Sequence, residues 1–425
     1  MYTEEKNHDN MMIFIKIEII ANPAVSNRSD GESSLELFNE SMKTVTCSKY
    51  FRTRCVQLPL ALYISQITVS FFSIISIFFK ENLWRFSLLN RDLWKYCSKE
   101  QINEYILSFE LLGNTKLTDK QQLSCLYNVS NHPEKHYQQH RIYKKDGTLR
   151  RISEPDPLLK VIQTNILKNI LTQRTPSIYA TAYQKGKRLV DNTDPHVNQK
   201  QILKLDIKNF FGCISYSMIA HNAFPGIYYP PAVVGLLTNL CCFCESLPQG
   251  APTSPVISNL VMKSFDNYMG QWCLDRHINY TRFCDDMTFS GEFDDKMLYD
   301  KVRSFLREMG FTLNDKKTRL ISKDYQQLVT GIVVNEKMQV SRSYRKKLRQ
   351  ELYYCIKYGV KSHLIYQKNE KYLEMGDEGR EAYLNHLMGR TNYILQINPL
   401  DQEFLIARKC LTEMISRNKG VSKSG

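Results

Sequence analysis

The sequence has no internal repeat and no low-complexity tract, which excludes solenoid and propeller arrays. Its 12 cysteines fall into no paired framework, and the first residues carry no signal peptide with a small-residue cleavage site. Together these exclude a disulfide-stapled secreted scaffold and point to a reduced, cytoplasmic compartment. Cys241, Cys242 and Cys244 cluster, but no second cluster completes four zinc ligands. These thiols are expected to be small buried hydrophobes. Acidic residues are the minority, 43 Asp and Glu against 57 Lys and Arg, for a formal charge of +14. The excess is spread along the chain. A folded, basic protein of this kind points to a polyanion, with nucleic acid first.

Long uncharged runs are scarce as well. There is one, Val56 to Phe79, inside a stretch 1–95 that is poor in turn logic. At 1.5 Å per helical residue it is long enough for a bilayer of about 30 Å, but its Ser, Gln and Pro59 make it a mediocre span. Three readings stay open: a membrane anchor, a helix packed on the rest, or translated sequence upstream of the true start. The last is favoured, and a membrane partner through 56–79 is the lesser reading.

What is present reads as an ordinary mixed domain from about residue 96. The chain has 425 residues with 43% hydrophobic and 11% aromatic content, enough for two to four packed subdomains with real cores. Leu158 to Leu171 carries a helical apolar stripe. Ile202 to Lys208 alternates, with Leu203, Leu205 and Ile207 on one face and Lys204, Asp206 and Lys208 on the other. That pattern predicts a half-buried strand with an open polar face. Tyr280 to Ser290 reads as strand, tight turn and strand, with Asp285 and Asp286 at the turn. Ser343 to Tyr358 reads as a helix with Tyr344, Leu348, Leu352 and Ile356 inward and Gly359 as its stop.

Acids on neighbouring strands suit the chemistry of nucleotide polymerisation. Two divalent ions, about 3.5–4 Å apart, need hard oxygen ligands converging from separate strands. An Asp-Asp pair alone is common. Its setting here is not: Tyr280-Thr-Arg-Phe-Cys-Asp-Asp-Met-Thr-Phe-Ser290 resembles the catalytic hairpin of reverse transcriptases. Asp206-Ile-Lys-Asn-Phe-Phe211 resembles their first metal-binding strand, and Leu247-Pro-Gln-Gly-Ala-Pro-Thr-Ser-Pro-Val-Ile-Ser-Asn-Leu260 their nucleotide-positioning segment. Gly310-Phe-Thr-Leu-Asn-Asp-Lys-Lys-Thr318 resembles the motif that follows. The order is the family's, over residues 96 to 425. Phe283 departs from the tyrosine usual there, which removes a hydroxyl. Asn192-Thr-Asp-Pro-His196 is similar to the Asn-Ala-x-x-His signature of bacterial retron reverse transcriptases, with Thr193 for alanine, and Val329-Thr-Gly331 matches their Val-Thr-Gly signature.

The resemblance implies an α+β right-hand polymerase with an N-terminal extension 1–95, fingers 96–205, palm 206–335 with an antiparallel sheet, and a mostly helical thumb 336–425. A helical insertion 232–260 would contact the fingers. Asp206, Asp285 and Asp286 would bind two Mg²⁺ ions, with Mn²⁺ as a substitute, and Lys317 would act as an acid toward pyrophosphate. Arg150, on a fingers hairpin turning at Asp146-Gly147, Phe211, Gln249 and Gly250 would bind the incoming nucleotide, Phe211 as the bulk that rejects a 2′-hydroxyl. Asn192, His196, Arg345, Lys346 and Arg349 would bind RNA. The implied partners are deoxynucleotides, a cognate structured non-coding RNA, its RNA-linked DNA product and a separate effector in antiphage defence. Two alternatives stand beside this: a group II intron-like reverse transcriptase, for which the chain lacks room for further domains, and a non-catalytic RNA-binding module, against which the three acids argue.

Overall fold

The computed structural model describes residues 94–143, 147 and 149–421. The run 56–79 and Asp146, with the expectations attached to them, lie outside these residues. Among the described residues no helix is long and apolar enough to cross a membrane.

The first described elements are α1 (Lys99–Leu107) and α2 (Asp119–Asn131), neither anticipated from pattern. The capping boxes Ser98–Gln101 and Thr118–Gln121 start both, satisfying free backbone N–H groups at their N-termini. An antiparallel hairpin follows, β1 (Tyr137–Tyr143) with β2 (Leu149–Pro155), in which Arg150 pairs with Ile142. Asp156 then caps α3 (Pro157–Asn169), accepting from the Leu159 N–H at 2.8 Å, and Pro157 fits a first turn that needs no donor. Leu159, Ile162 and Ile166 of its stripe are buried, while Leu158 faces solvent. The short α4 (Leu189–Thr193) leads to the central sheet.

That sheet has four strands in the order β4-β5-β3-β6, all neighbours antiparallel: β3 (Gln201–Asp206), β4 (Asn279–Phe283), β5 (Asp286–Gly291) and β6 (Arg319–Ser322). Between β3 and β4 lie α5 (Phe210–Cys213), α6 (Tyr216–Ala223), α7 (Pro231–Cys241), α8 (Ser254–Val261) and α9 (Lys263–Leu274). The helix α10 (Asp295–Glu308) follows β5 and buries Leu298, Val302 and Leu306, one face at i, i+4 and i+8. Cys241 and Cys242 are buried, and burial pushes both thiols up to about 12; Cys244 is exposed instead.

A smaller antiparallel sheet, β7 (Leu328–Val329), β8 (Ile332–Val333) and β9 (Gln339–Val340), is followed by helices only. The β7–β8 turn is Thr330-Gly331, both at positive φ (47° and 86°), which matches strand twist in a two-residue hairpin. The helices are α11 (Arg342–Tyr358), α12 (Val360–Tyr366), α13 (Glu370–Leu373), α14 (Gly376–Ile397) and α15 (Gln402–Val421). Ser341 caps α11, and Gly359 at φ 82° ends it. The expected stripe drifts here. Ile356 is 56% exposed, and Cys355 is buried with Leu348 and Leu352. Steps of four residues overshoot a turn of 3.6, so the fourth member rotates outward and its neighbour takes the place.

Two hydrophobic clusters result. One holds α1–α3, the helices between β3 and β4, and one face of the sheet. The other holds the small sheet and α11–α15. Leu203 and Leu205 belong to the first and Ile202 to the second, so β3 is covered on both faces. This corrects the open polar face expected for it, since Asp206 is only 3% exposed. The strand runs Gln201–Asp206, against the 202–208 expected.

Candidate active site

The acids gather where β3 meets the β4–β5 hairpin. Asp206 ends β3 and sits opposite Asp286, the first residue of β5. The Ile207 N–H donates to the Asp285 carbonyl at 3.1 Å, so the 206–286 pair lies between hydrogen-bonded rungs. Such pairs bring Cα atoms to about 4.5 Å and their side chains close together. The turn is Cys284-Asp285, with Cys284 at φ 61°, rather than the Asp-Asp pair itself.

The segment after α10 completes this side. The Asn314 N–H donates to the Asp206 carbonyl at 2.8 Å, and Asn314 Nδ2 to Asp206 Oδ1 at 3.1 Å. Lys317 Nζ donates to Asp206 Oδ2 at 2.7 Å. Burial holds the Asp286 carboxyl up at about 6, and Asp285 and Asp206 beside it add to the shift against the pull of Lys204 and Lys317. Burial opposes the Lys317 charge, yet the hydrogen bond to Asp206 and all three carboxylates raise its pKa overall. Among the described residues no three His, Cys, Asp or Glu side chains close around one point. The donor set is nonetheless hard oxygen on adjacent strands, and Lys317 supplies the positive charge that crowded carboxylates demand. These residues fit a divalent cation once Lys317 leaves Asp206.

The expected nucleotide residues have the following neighbours. Phe211 is half-buried and edge-on to Phe210, which takes the core position. The Tyr183 hydroxyl is pushed up to about 12 by burial, then by Cys284 and Asp285, while Arg150 pulls it down. Arg150 and Asp285 therefore act on one phenol from two sides. Gly250 serves a different neighbour from the one expected. A Cβ there would stand 2.8 Å from the Ser153 carbonyl, so the missing side chain admits the backbone of β2. The Ser153 N–H also donates to the Gln249 carbonyl at 2.8 Å.

Expectations for four residues about RNA contacts need correction. Asn192 and His196 are 1% and 0% exposed, so neither side chain can meet RNA. His196 Nδ1 is 2.7 Å from Ser290 Oγ on β5, and Nε2 is 2.8 Å from Thr281 Oγ1 on β4. Burial lowers its pKa to about 3, so the ring is neutral and clamps both strands of the hairpin. Asn192 accepts from Thr181 Oγ1 at 2.6 Å and reaches Thr330 Oγ1 at 3.4 Å, which ties the two retron-like signatures together. On α11, Arg345 pairs with Asp401 at 2.7 Å, and Arg349 with Glu403. The Asp401–Glu403 end of α15 neutralises both. Arg342, Lys346 and Lys347 stay exposed and make no ion pair among the described residues.

Sequence reasoning missed Asn314, Tyr183 and a buried trio, Arg282, Asp266 and Asn259. Arg282 left one signal, a charge at an inward register position beside Tyr280. Residues 142–334 match the family described as reverse transcriptase (RNA-dependent DNA polymerase). Over 289 residues the chain is 31% identical to Retron Ec83 reverse transcriptase of Escherichia coli, covering 64% of this chain and 86% of that one. Over 277 residues it is 29% identical to Retron Ec86 reverse transcriptase of the same species, covering 63% and 79%. Over 296 residues it is 28% identical to Retron Mx65 reverse transcriptase of Myxococcus xanthus, covering 65% and 64%. The α+β architecture is that of the right-hand polymerase. The chain belongs to the bacterial retron-type reverse transcriptases and is an RNA-directed DNA polymerase.

Proposed function

We propose that this polymerase copies a cognate structured non-coding RNA into RNA-linked single-stranded DNA at the Asp206–Asp285–Asp286 site. The observation that carries the reading is the cross-strand placement of Asp206 against Asp286 with Asp285 on the adjoining turn. Two Mg²⁺ ions held by these acids would activate the attacking hydroxyl and stabilise the leaving pyrophosphate. Asn314 holds the Asp206 carboxylate in place. Lys317, which donates to Asp206 at 2.7 Å, would be the acid that gives its proton to pyrophosphate. The hydroxyl gives its proton to solvent, and its oxygen bonds to the α-phosphorus as the bond to the bridging oxygen breaks. Arg150 grips triphosphate oxygens, Gln249 packs beside the nucleotide, and Phe211 excludes a 2′-hydroxyl. The fingers, palm and thumb run 96–205, 206–335 and 336–425, with the helices of 232–260 against the fingers. The exposed Arg342, Lys346 and Lys347 track RNA phosphates. In this reading synthesis is primed from a 2′-hydroxyl within the RNA, and the enzyme serves cytoplasmic antiphage defence with a separate effector.

Asp206→Asn and Asp285→Asn remove a charge with little change in volume. Both should abolish primer extension and keep RNA retention on a filter. Normal extension by either variant would sink the assignment.

A further inference from the structure

Arg282 and Asp266 are both 0% exposed and form an ion pair. A hydrophobic pair of similar volume is often as stable as a buried ion pair, so stability alone does not account for this one. Its hydrogen bonds do. Arg282 Nε donates to Asp266 Oδ1 at 2.8 Å and Nη2 to Asp266 Oδ2 at 2.6 Å, a bidentate fork. Tyr280 also donates to Asp266 Oδ1, at 2.8 Å. The remaining Arg282 bonds leave the pair in two directions.

One goes to the acids. Arg282 Nη1 donates to the Cys284 carbonyl at 2.8 Å. Cys284 holds a left-handed φ of 61°, a conformation that crowds the Cβ of any side-chain-bearing residue. Its carbonyl points inward, where only a donor makes it tolerable, and the next residue is Asp285. The other direction goes to the loop that carries Tyr183. Arg282 Nη2 donates to Asn259 Oδ1 at 3.1 Å, and Asn259 Nδ2 donates to the Ala182 carbonyl at 2.8 Å. Tyr183 follows, at φ 58°, and Cys284 and Asp285 add to the burial that raises its hydroxyl's pKa. The backbone repeats the link: Arg282 N–H donates to the Tyr179 carbonyl and Thr181 N–H to the Arg282 carbonyl, both at 2.8 Å.

We propose that Arg282, fixed by Asp266, is a positioning residue that sets the Cys284-Asp285 turn and the Tyr179–Tyr183 loop as one unit. It touches no reacting atom. It fixes where the Asp285 carboxylate stands relative to Tyr183, and hence how well the acids hold a divalent ion. This rests on the metal reading above.

The test uses the full chain. Arg282→Lys keeps a charge for Asp266 but lacks the fork that reaches Asp266 and Cys284 together. Mn²⁺ binding is read by electron paramagnetic resonance without RNA, and amide exchange is read over residues 283–287. Mn²⁺ affinity should fall at least tenfold, and exchange at the turn should rise at least tenfold. Leu306→Ala, a buried position on α10, serves as the control at matched loss of Tm and should alter neither readout. If Arg282→Lys does not fold, Arg282→Gln with Asp266→Asn replaces the ion pair by neutral amides and should show the same two changes. Wild-type affinity and exchange in a folded variant would overturn the proposal, as would equal effects in Leu306→Ala. If the wild type itself binds no Mn²⁺, the metal reading fails, and turn exchange still decides the positioning role.

Discussion

Acid sensitivity measures the burial of His196. The ring is neutral in the folded protein because burial lowers its pKa from 6.5 to about 3. The unfolded chain takes up that proton more readily, so this group's contribution is complete above pH 6.5 and is lost as pH falls toward 3. Between pH 7 and pH 5 the loss integrates to about 2 kcal/mol, taking 1.36 kcal/mol per unit. His196→Gln removes the titration and leaves one hydroxyl of Thr281 or Ser290 poorly partnered, at a cost of about 1–3 kcal/mol at pH 7. Urea midpoints at both pH values, for wild type and variant, give the difference of differences. The variant should start weaker and lose about 2 kcal/mol less on acidification. Parallel losses would refute the buried neutral ring. RNA retention against salt should keep its slope in the variant, because His196 neutralises no phosphate; a changed slope would return His196 to the RNA surface.

Phe211→Val should raise ribonucleotide relative to deoxynucleotide incorporation in competition assays; an unchanged ratio in an active variant would show that the ring only packs on Phe210. Replacing Arg342, Lys346 and Lys347 by Ala should lower the salt slope of RNA binding by about 1 for each phosphate no longer neutralised. The same treatment of Arg345 and Arg349 should change it less and lower Tm, since both already face Asp401 and Glu403. Gly250→Ala should cut extension sharply with a smaller effect on RNA retention, since its Cβ meets the Ser153 carbonyl at 2.8 Å; wild-type kinetics would mean that β2 shifts freely.

The acids were legible because the residues around them resemble the family's motifs; period and turn chemistry only placed them on a strand and near a hairpin tip. The burial of β3 was not. Ile202 is covered by residues such as Val329, Leu348 and Leu387, far along the chain, and alternation within six residues cannot register them. The signature at Asn192–His196 revealed that those residues matter without revealing which way they face. Polar side chains suggested a ligand, whereas the structure satisfies them with hydroxyls from β4 and β5. Arg345 and Arg349 failed similarly, since an exposed basic face on one helix says nothing of the acids on the next. Arg282 lies inside the hairpin motif, but its role depends on Asp266 and Asn259, which only the tertiary fold brings near.

The shared burial of β3 has a consequence for how the molecule yields. A strand claimed by two cores cannot be released from one without loosening the other, so the helical end and the sheet end should come apart in one cooperative event. Protection of the β3 amides should track global stability. On the proposed reading, in which the helical end holds a duplex, its displacement would reach Asp206 as mechanical load along Ile202. The rib that carries the first acid would then also sense whether the product is held.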